Sequence, residues 1–114
     1  MPERSLKMSV TQNDLQTARE LKKRISKLTQ LIDFRLFGSR ARGDADEYSD
    51  MDIFMEFETV DRELRNRVKN AAWEMTLETG IVVTTLLFSR YEIEDSPLRS
   101  SPIIRVIMEE GVSV

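Results

Sequence analysis

The segment GSRARGDADEYSDMDI, residues 38–53, is the strongest indication of the fold of this chain and contains its most informative side chains. It follows the apolar run Leu31 to Phe37, which predicts a strand that ends abruptly at Gly38 and Ser39. Glycine lets the backbone turn sharply and approach a ligand closely, and Ser39 offers a hydroxyl and an amide where a short helix would start. Such a turn suits an anion.

Two arginines follow this turn. Arg40 and Arg42 place fixed positive charge beside it, suited to neutralising a polyphosphate or its leaving group. Gly43 is expected to end a single helical turn. Taken alone, the two arginines are better explained as surface charge that pairs with the acids of residues 44–47.

A second strand is predicted from Asp50 to Phe57. Its period-two alternation puts Asp50 and Asp52 on one face and four apolar side chains on the other. These apolar side chains are Met51, Ile53, Met55 and Phe57. The carboxylates would lie about 7 Å apart along the strand, near enough to share one divalent cation or to hold two. Taken alone, they are the solvent face of an ordinary hairpin. If the two strands pair antiparallel, however, Gly38 and Asp50 fall at the same sheet edge.

The ordered set resembles the signature of the DNA polymerase β-like nucleotidyltransferase superfamily. That signature is a Gly-Ser, an Ala-Arg-Gly, and then Ser-Asp-x-Asp before an apolar residue, and it is complete in residues 38–53. The resemblance implies a set of site residues. They are Gly38, Ser39 and Arg42 for the nucleotide phosphates, and Asp50 and Asp52 as the catalytic carboxylates that bind the metal.

At 114 residues the whole chain is similar to a minimal nucleotidyltransferase (MNT), a domain often paired with a HEPN protein in toxin–antitoxin modules. The resemblance implies an α/β (α+β) nucleotidyltransferase fold, a small mixed sheet of three to four strands flanked by helices, over residues 1–114. It implies Mg2+, with Mn2+ as an alternative, and ATP or another NTP as substrate. The implied reaction transfers AMP to an acceptor hydroxyl, such as a tyrosine of a HEPN toxin that the chain would neutralise as its antitoxin.

One position departs from the superfamily pattern, which usually carries a third carboxylate on a later strand. The candidate strand, Ile81 to Phe88, has no acid, and Thr84 or Thr85 occupies the corresponding position. Glu56 cannot replace it, because it would lie about 13 Å from Asp52 along the strand. Since Mg2+ can be held by one or two carboxylates and substrate phosphates, we expect nucleotide binding to survive better than turnover. The alternative is a catalytically degenerate domain that neutralises a partner by complex formation.

Helical patterns flank the predicted strands. Thr11 caps a helix whose apolar residues recur at three- and four-residue intervals as far as Leu28. A second helix is predicted from Asp61 to Glu78, stopped by Gly80 and long enough to return the chain for a parallel third strand. A third is predicted over residues 101–111.

The remaining segments carry weaker predictions. Residues 91–100 are expected to be a polar connector or a loop over the nucleotide, and residues 112–114 a short edge strand. Residues 1–10 lack periodicity and are expected to be loosely ordered. Trp73 and the C-terminal apolar stripe suit either packing or contact with a partner. That stripe consists of Ile103, Ile104, Ile107 and Met108.

Composition narrows the class of protein. The chain is 40% hydrophobic and 32% charged, without cysteine, and no run is apolar enough for a signal peptide or a membrane span. We therefore expect a cytoplasmic protein without disulfides. A net charge of −3 argues against general nucleic-acid binding. The absence of histidine removes the usual base at neutral pH, and the sequence leaves open whether the chain forms an oligomer.

Overall fold

The computed structural model describes residues 9–114, in which four strands form one mixed sheet. The strands are β1 (Leu31–Phe37), β2 (Met51–Phe57), β3 (Val83–Ser89) and β4 (Val112–Ser113). Their order is β3-β2-β1-β4, with β1 antiparallel to both β2 and β4, and β2 parallel to β3. The predicted fold class is confirmed. The expectation of loose order for residues 1–10 falls largely outside the described residues.

Five α-helices flank the sheet in this part of the chain. They are α1 (Gln12–Ser26), α2 (Gly38–Arg42), α3 (Arg62–Thr79), α4 (Arg90–Glu94) and α5 (Pro102–Glu110), with a 3-10 helix at Pro97–Ser100. The polar connector predicted for residues 91–100 is therefore wrong, because this segment is mostly helical. Ser89 and Glu92 form a reciprocal cap at the start of α4, and Ser96 caps the 3-10 helix. Such local hydrogen bonds order short helices that lack an apolar period.

The first face of the sheet packs against α1 and α3. The predicted alternation of β2 is confirmed, because its apolar set lies in this core together with side chains of both helices. The β2 members are Met51, Ile53, Met55 and Phe57, and the helical members include Ala18, Leu21, Ile25, Val68, Ala71 and Met75. This packing fixes the register of β2, since a slip of one residue would turn the whole set away from the core.

The second face of the sheet packs against α5. Ile104 and Ile107 are buried there with Phe37 and Phe54, so β2 is covered on both faces. The C-terminal stripe, which the sequence left open between core and partner contact, thus contributes these two residues to the core. Asp52 lies on this same second face and is half-buried.

Candidate functional site

The turn after β1 lies directly against the start of β2. Phe37, the last residue of β1, pairs with Asp52. Gly38 follows with φ +76°, a backbone conformation that favours glycine, and a Cβ atom at this position would collide with Asp52 Oδ2. Glycine is therefore required here for two reasons: it adopts the positive φ of the turn, and it leaves room for the Asp52 carboxylate. The Gly-Ser turn and one of the two acids share one edge of the sheet.

The two acids differ in their surroundings. Asp52 is half-buried on β2, whereas Asp50 is exposed in the residue before the strand begins. Burial raises the pKa of Asp52 above its ordinary value, the charge of Asp50 raises it further, and the charge of Arg42 lowers it. Because the charge of Asp50 opposes the ionised form of Asp52, a cation near both carboxylates would offset that repulsion.

Arg42 ends α2 with about half of its side chain exposed. Its Nε donates to Asp44 Oδ2 at 3.2 Å, and its Nη1 lies 3.6 Å from Glu110 Oε1. Exposed ion pairs of this kind contribute little stability, so a polyphosphate could displace these partners. The pairing with Asp44 matches the surface explanation of the motif, while the effect on the pKa of Asp52 places Arg42 within electrostatic range of that acid.

The edge strand β3 brings Thr84 to the level of the acids. Asp52 pairs with Thr84 and Ile53 pairs with Thr85 in the parallel register. Thr84 therefore shares the face of Asp52 and is exposed, whereas Thr85 lies on the face of α3 and lines a groove beside Trp73. Within residues 9–114, no cluster of three carboxylate or other metal-ligating side chains is found.

Comparison with known families decides the class of protein. The family model described as nucleotidyltransferase domain matches residues 18–114, which include all four strands and both aspartates. The chain belongs to the nucleotidyltransferase domain family. No curated protein was found to be significantly similar to it. None of the helices in residues 9–114 of this nucleotidyltransferase domain has the length and apolar character needed to cross a membrane.

Arg40 departs from the sequence prediction, which grouped it with Arg42 on the phosphate side. Its side chain is buried, with 7% of the residue exposed, and its Nη1 donates to Asp14 Oδ1 on α1 at 2.8 Å. Its Nε and Nη2 donate to the carbonyl of Ser49. Arg40 therefore holds the nucleotidyltransferase domain together around the site, and it has little charge exposed for a phosphate.

The partner of Arg40 was missed in the sequence, although a pattern indicated it. Asp14 precedes Ala18, Leu21 and Ile25 at the spacing of the buried stripe of α1, and it is itself only 4% exposed. A charged residue on an apolar stripe requires a buried partner. The sequence predicted only the cap at Thr11, and its hydrogen bond from the Asp14 amide to Thr11 Oγ1 is present at 3.1 Å.

Proposed function

We propose that this nucleotidyltransferase domain transfers a nucleoside monophosphate, AMP from ATP, to an acceptor hydroxyl with the help of Mg2+ or Mn2+. The observation that carries the proposal is the close approach of Gly38 to the Asp52 carboxylate. It brings a phosphate-binding type of turn against a metal-ligating type of side chain. A triphosphate bound at the turn would have its α-phosphate within reach of a cation on the acids.

The residues divide the work of the proposed reaction. Asp50 and Asp52 would hold the cation, and the cation would supply neutralising charge for the α-phosphate. Gly38 and Ser39 bind the phosphates through the amides at the start of α2, and Arg42 stabilises the charge that develops on the leaving pyrophosphate. The acceptor oxygen forms a bond to the α-phosphorus as the bond to the bridging oxygen breaks. The proton of the acceptor passes to solvent or to a base on the partner.

Thr84 lies level with Asp52, where the superfamily usually carries a third carboxylate, and this lowers the turnover that we expect. A threonine hydroxyl cannot accept the acceptor's proton as a carboxylate can, and general-base assistance is typically worth about 10²–10⁴ in rate. We therefore propose slow turnover that a partner assists. Thr84 is exposed on an edge strand, so an acceptor could approach Asp52 from this side.

The acceptor that we propose is a tyrosine of a HEPN toxin, with the chain as its antitoxin in the cytoplasm. The similarity to minimal nucleotidyltransferases supports this partner, and the absence of cysteine agrees with the compartment. A protein acceptor also needs a docking surface. Trp73 is 60% exposed and Leu77, one helical turn further along α3, is 66% exposed.

The same exposed side chains favour a second candidate function. Trp73 borders a groove between α3 and β3, whose lining includes Val82, Val83 and Thr85. Large exposed apolar side chains beside a groove are typical of protein contact surfaces. In this second proposal the chain neutralises its partner through that surface alone, and the acids have no catalytic role.

Labelling separates the two candidates. The purified chain and a HEPN partner would be incubated with ATP labelled at the α-phosphate and Mg2+, using wild type, Asp50→Asn and Asp52→Asn. Transfer of label that both substitutions abolish supports the enzyme. Neutralisation without label, unchanged in both variants, supports the binding role.

A matched control lies on the same strand. Glu56 is a second acid of β2, more buried than Asp52, and it lies four residues from Asp52 and away from the turn. Glu56→Gln should therefore leave labelling at the wild-type level. Binding of a non-hydrolysable ATP analogue, measured with and without Mg2+, checks the first step. If the wild type binds no analogue at all, the proposed transferase function is rejected.

A further inference from the structure

The guanidinium of Arg40 connects three parts of the chain. It donates to Asp14 Oδ1 on α1 at 2.8 Å, to the Ser49 carbonyl at 3.0 Å from Nε and 2.8 Å from Nη2, and to the Asp46 carbonyl at 3.4 Å. Arg40 itself lies on α2. One buried side chain thus joins two helices to the loop that leads into β2.

That loop is already organised as a compact turn. The Asp46 amide donates to Ser49 Oγ, the Ser49 amide to the Asp46 carbonyl, and the Tyr48 amide to Asp46 Oδ1. Because the turn is internally bonded, the hydrogen bonds from Arg40 to two of its carbonyls fix it as a unit.

Asp50 follows this turn directly and is exposed. On its other side the Met51 amide donates to the Val82 carbonyl at 2.8 Å, where β2 meets the residue that precedes β3. The backbone of Asp50 is thus held at the carbonyl before it by Arg40 and at the amide after it by the sheet. The first of these two attachments depends on a single side chain.

We propose that Arg40 is a positioning residue for Asp50, and that Asp14 positions Arg40. The pair presents the exposed carboxylate toward Asp52 before a cation binds, which makes α1 part of the support of the metal site. The role of Asp50 as a metal ligand rests on the proposed function. The hold of Arg40 on the loop does not depend on it.

The chemistry of the pair supports this role over a purely stabilising one. A buried ion pair contributes little net stability, because desolvation of both charges offsets their attraction. Guanidinium is planar and directs several donors at fixed angles, so it can bind a carboxylate and two carbonyls at once. Lysine at this position would keep the charge for Asp14 and lose the fixed geometry toward Ser49 and Asp46.

The principal test uses Arg40→Lys and Asp14→Asn in the full chain. The first readout is hydrogen exchange of the Ser49 amide, which is bonded to the Asp46 carbonyl, without metal or nucleotide. This exchange should accelerate on the order of tenfold in both variants. The second is the gain in affinity for a non-hydrolysable ATP analogue on addition of Mg2+. This gain should fall about 10–100-fold, as expected for loss of a group that orients a metal ligand, while affinity without metal stays unchanged.

A matched control is available in another arginine–aspartate pair. Arg35 Nε donates to Asp33 Oδ2 at 2.9 Å on β1, and Arg35 Nη1 to the Met108 carbonyl at 3.4 Å. Arg35→Lys should lower the melting temperature without changing exchange at Ser49 or the Mg2+-dependent gain. A purely structural role for Arg40 would give the same result in Arg40→Lys.

The outcomes distinguish the inference from the proposed function. Wild-type exchange at Ser49 in folded Arg40→Lys would overturn the inference, as would an unchanged Mg2+-dependent gain. If the wild type binds no nucleotide, the proposed function fails, and the exchange measurement still decides whether Arg40 holds the loop. Should Arg40→Lys fail to fold, Asp14→Asn carries both readouts, because asparagine keeps an oxygen acceptor and nearly the same volume.

Discussion

Two acids extend from the same face of β2, and only one of them lies at the candidate site. Asp52 and Glu56 are four residues apart on the strand, so their side chains share a face. Burial is the largest cause that raises the pKa of each. The raised pKa therefore does not by itself distinguish a functional carboxyl group from a merely buried one.

Their neighbours across the sheet separate them. Asp52 lies between Phe37, where the chain turns into Gly38, and the small exposed side chain of Thr84. This end of the face is open, and the charge of Arg42 lies near. A ligand can reach the carboxylate from the turn and from the edge strand.

The other end of the face is closed. Glu56 lies between Asp33 on β1 and Phe88 on β3. The charge of Asp33 raises the pKa of Glu56 further, and the ring of Phe88 packs against Phe54. Asp52 and Glu56 therefore differ in access: Asp52 lies beside the turn and an open strand edge, whereas Glu56 is enclosed by its neighbours.

The largest expected effect comes from completing the open end with a third carboxylate. Thr84→Asp would place an acid level with Asp52 on the same face, and turnover should rise by about 10²–10⁴, the usual value of general-base assistance. The measurement is the rate of label transfer from ATP at saturating Mg2+. Thr85→Asp is the control, because Thr85 faces α3 and its substitution should only destabilise the fold. An unchanged rate in folded Thr84→Asp would show that the missing acid is not what limits turnover.

A smaller effect on nucleotide affinity should follow from adding a side chain at the turn. Gly38 and Gly80 have nearly the same φ, +76° and +78°, but a Cβ would collide with Asp52 only at Gly38. Gly80→Ala should cost roughly 1–2 kcal/mol of unfolding free energy, the strain of an L residue in this region, and leave nucleotide affinity unchanged. Gly38→Ala should cost more and also lower affinity for the ATP analogue. Equal loss of stability with intact affinity in both variants would contradict the close packing of turn and acid.

The smallest expected effect is a change in the stability of the fold, and it should occur when either Asp52 or Glu56 is neutralised. A pKa raised in the folded state means that the ionised form costs stability, and this cost disappears as pH falls below the unfolded value. Asp52→Asn and Glu56→Gln should each raise the melting temperature near neutral pH. The gain should shrink on acidification toward about pH 4, near the ordinary pKa values of these side chains. A gain that persists at low pH would assign it to packing instead of charge.

The nucleotide affinities of these two variants should then distinguish Asp52 from Glu56. Asp52→Asn should stabilise the fold and abolish Mg2+-dependent binding, because the group that costs stability is the one that holds the cation. Glu56→Gln should stabilise the fold without any loss of binding. A loss of binding in Glu56→Gln would mean that the closed end of the face also belongs to the site.

Local patterns predicted most of the elements. The alternation of β2, the cap at Thr11, and the glycine stops at Gly43 and Gly80 depend on neighbours a few residues away, and all are present. The segment after Ser89 was predicted less well. Its order comes from side-chain hydrogen bonds that leave no period in the sequence.

The sequence alone predicted the strand–turn–strand unit of residues 31–57 and the family signature within it. Those features follow from backbone preferences and side-chain alternation within one short segment. The burial of Arg40 against Asp14, and the exposure of Arg42, are seen only in the tertiary structure. The same is true of the register that places Thr84 level with Asp52. Burial and register depend on which distant segments pack together, and residues two positions apart on a short helix can therefore meet opposite environments.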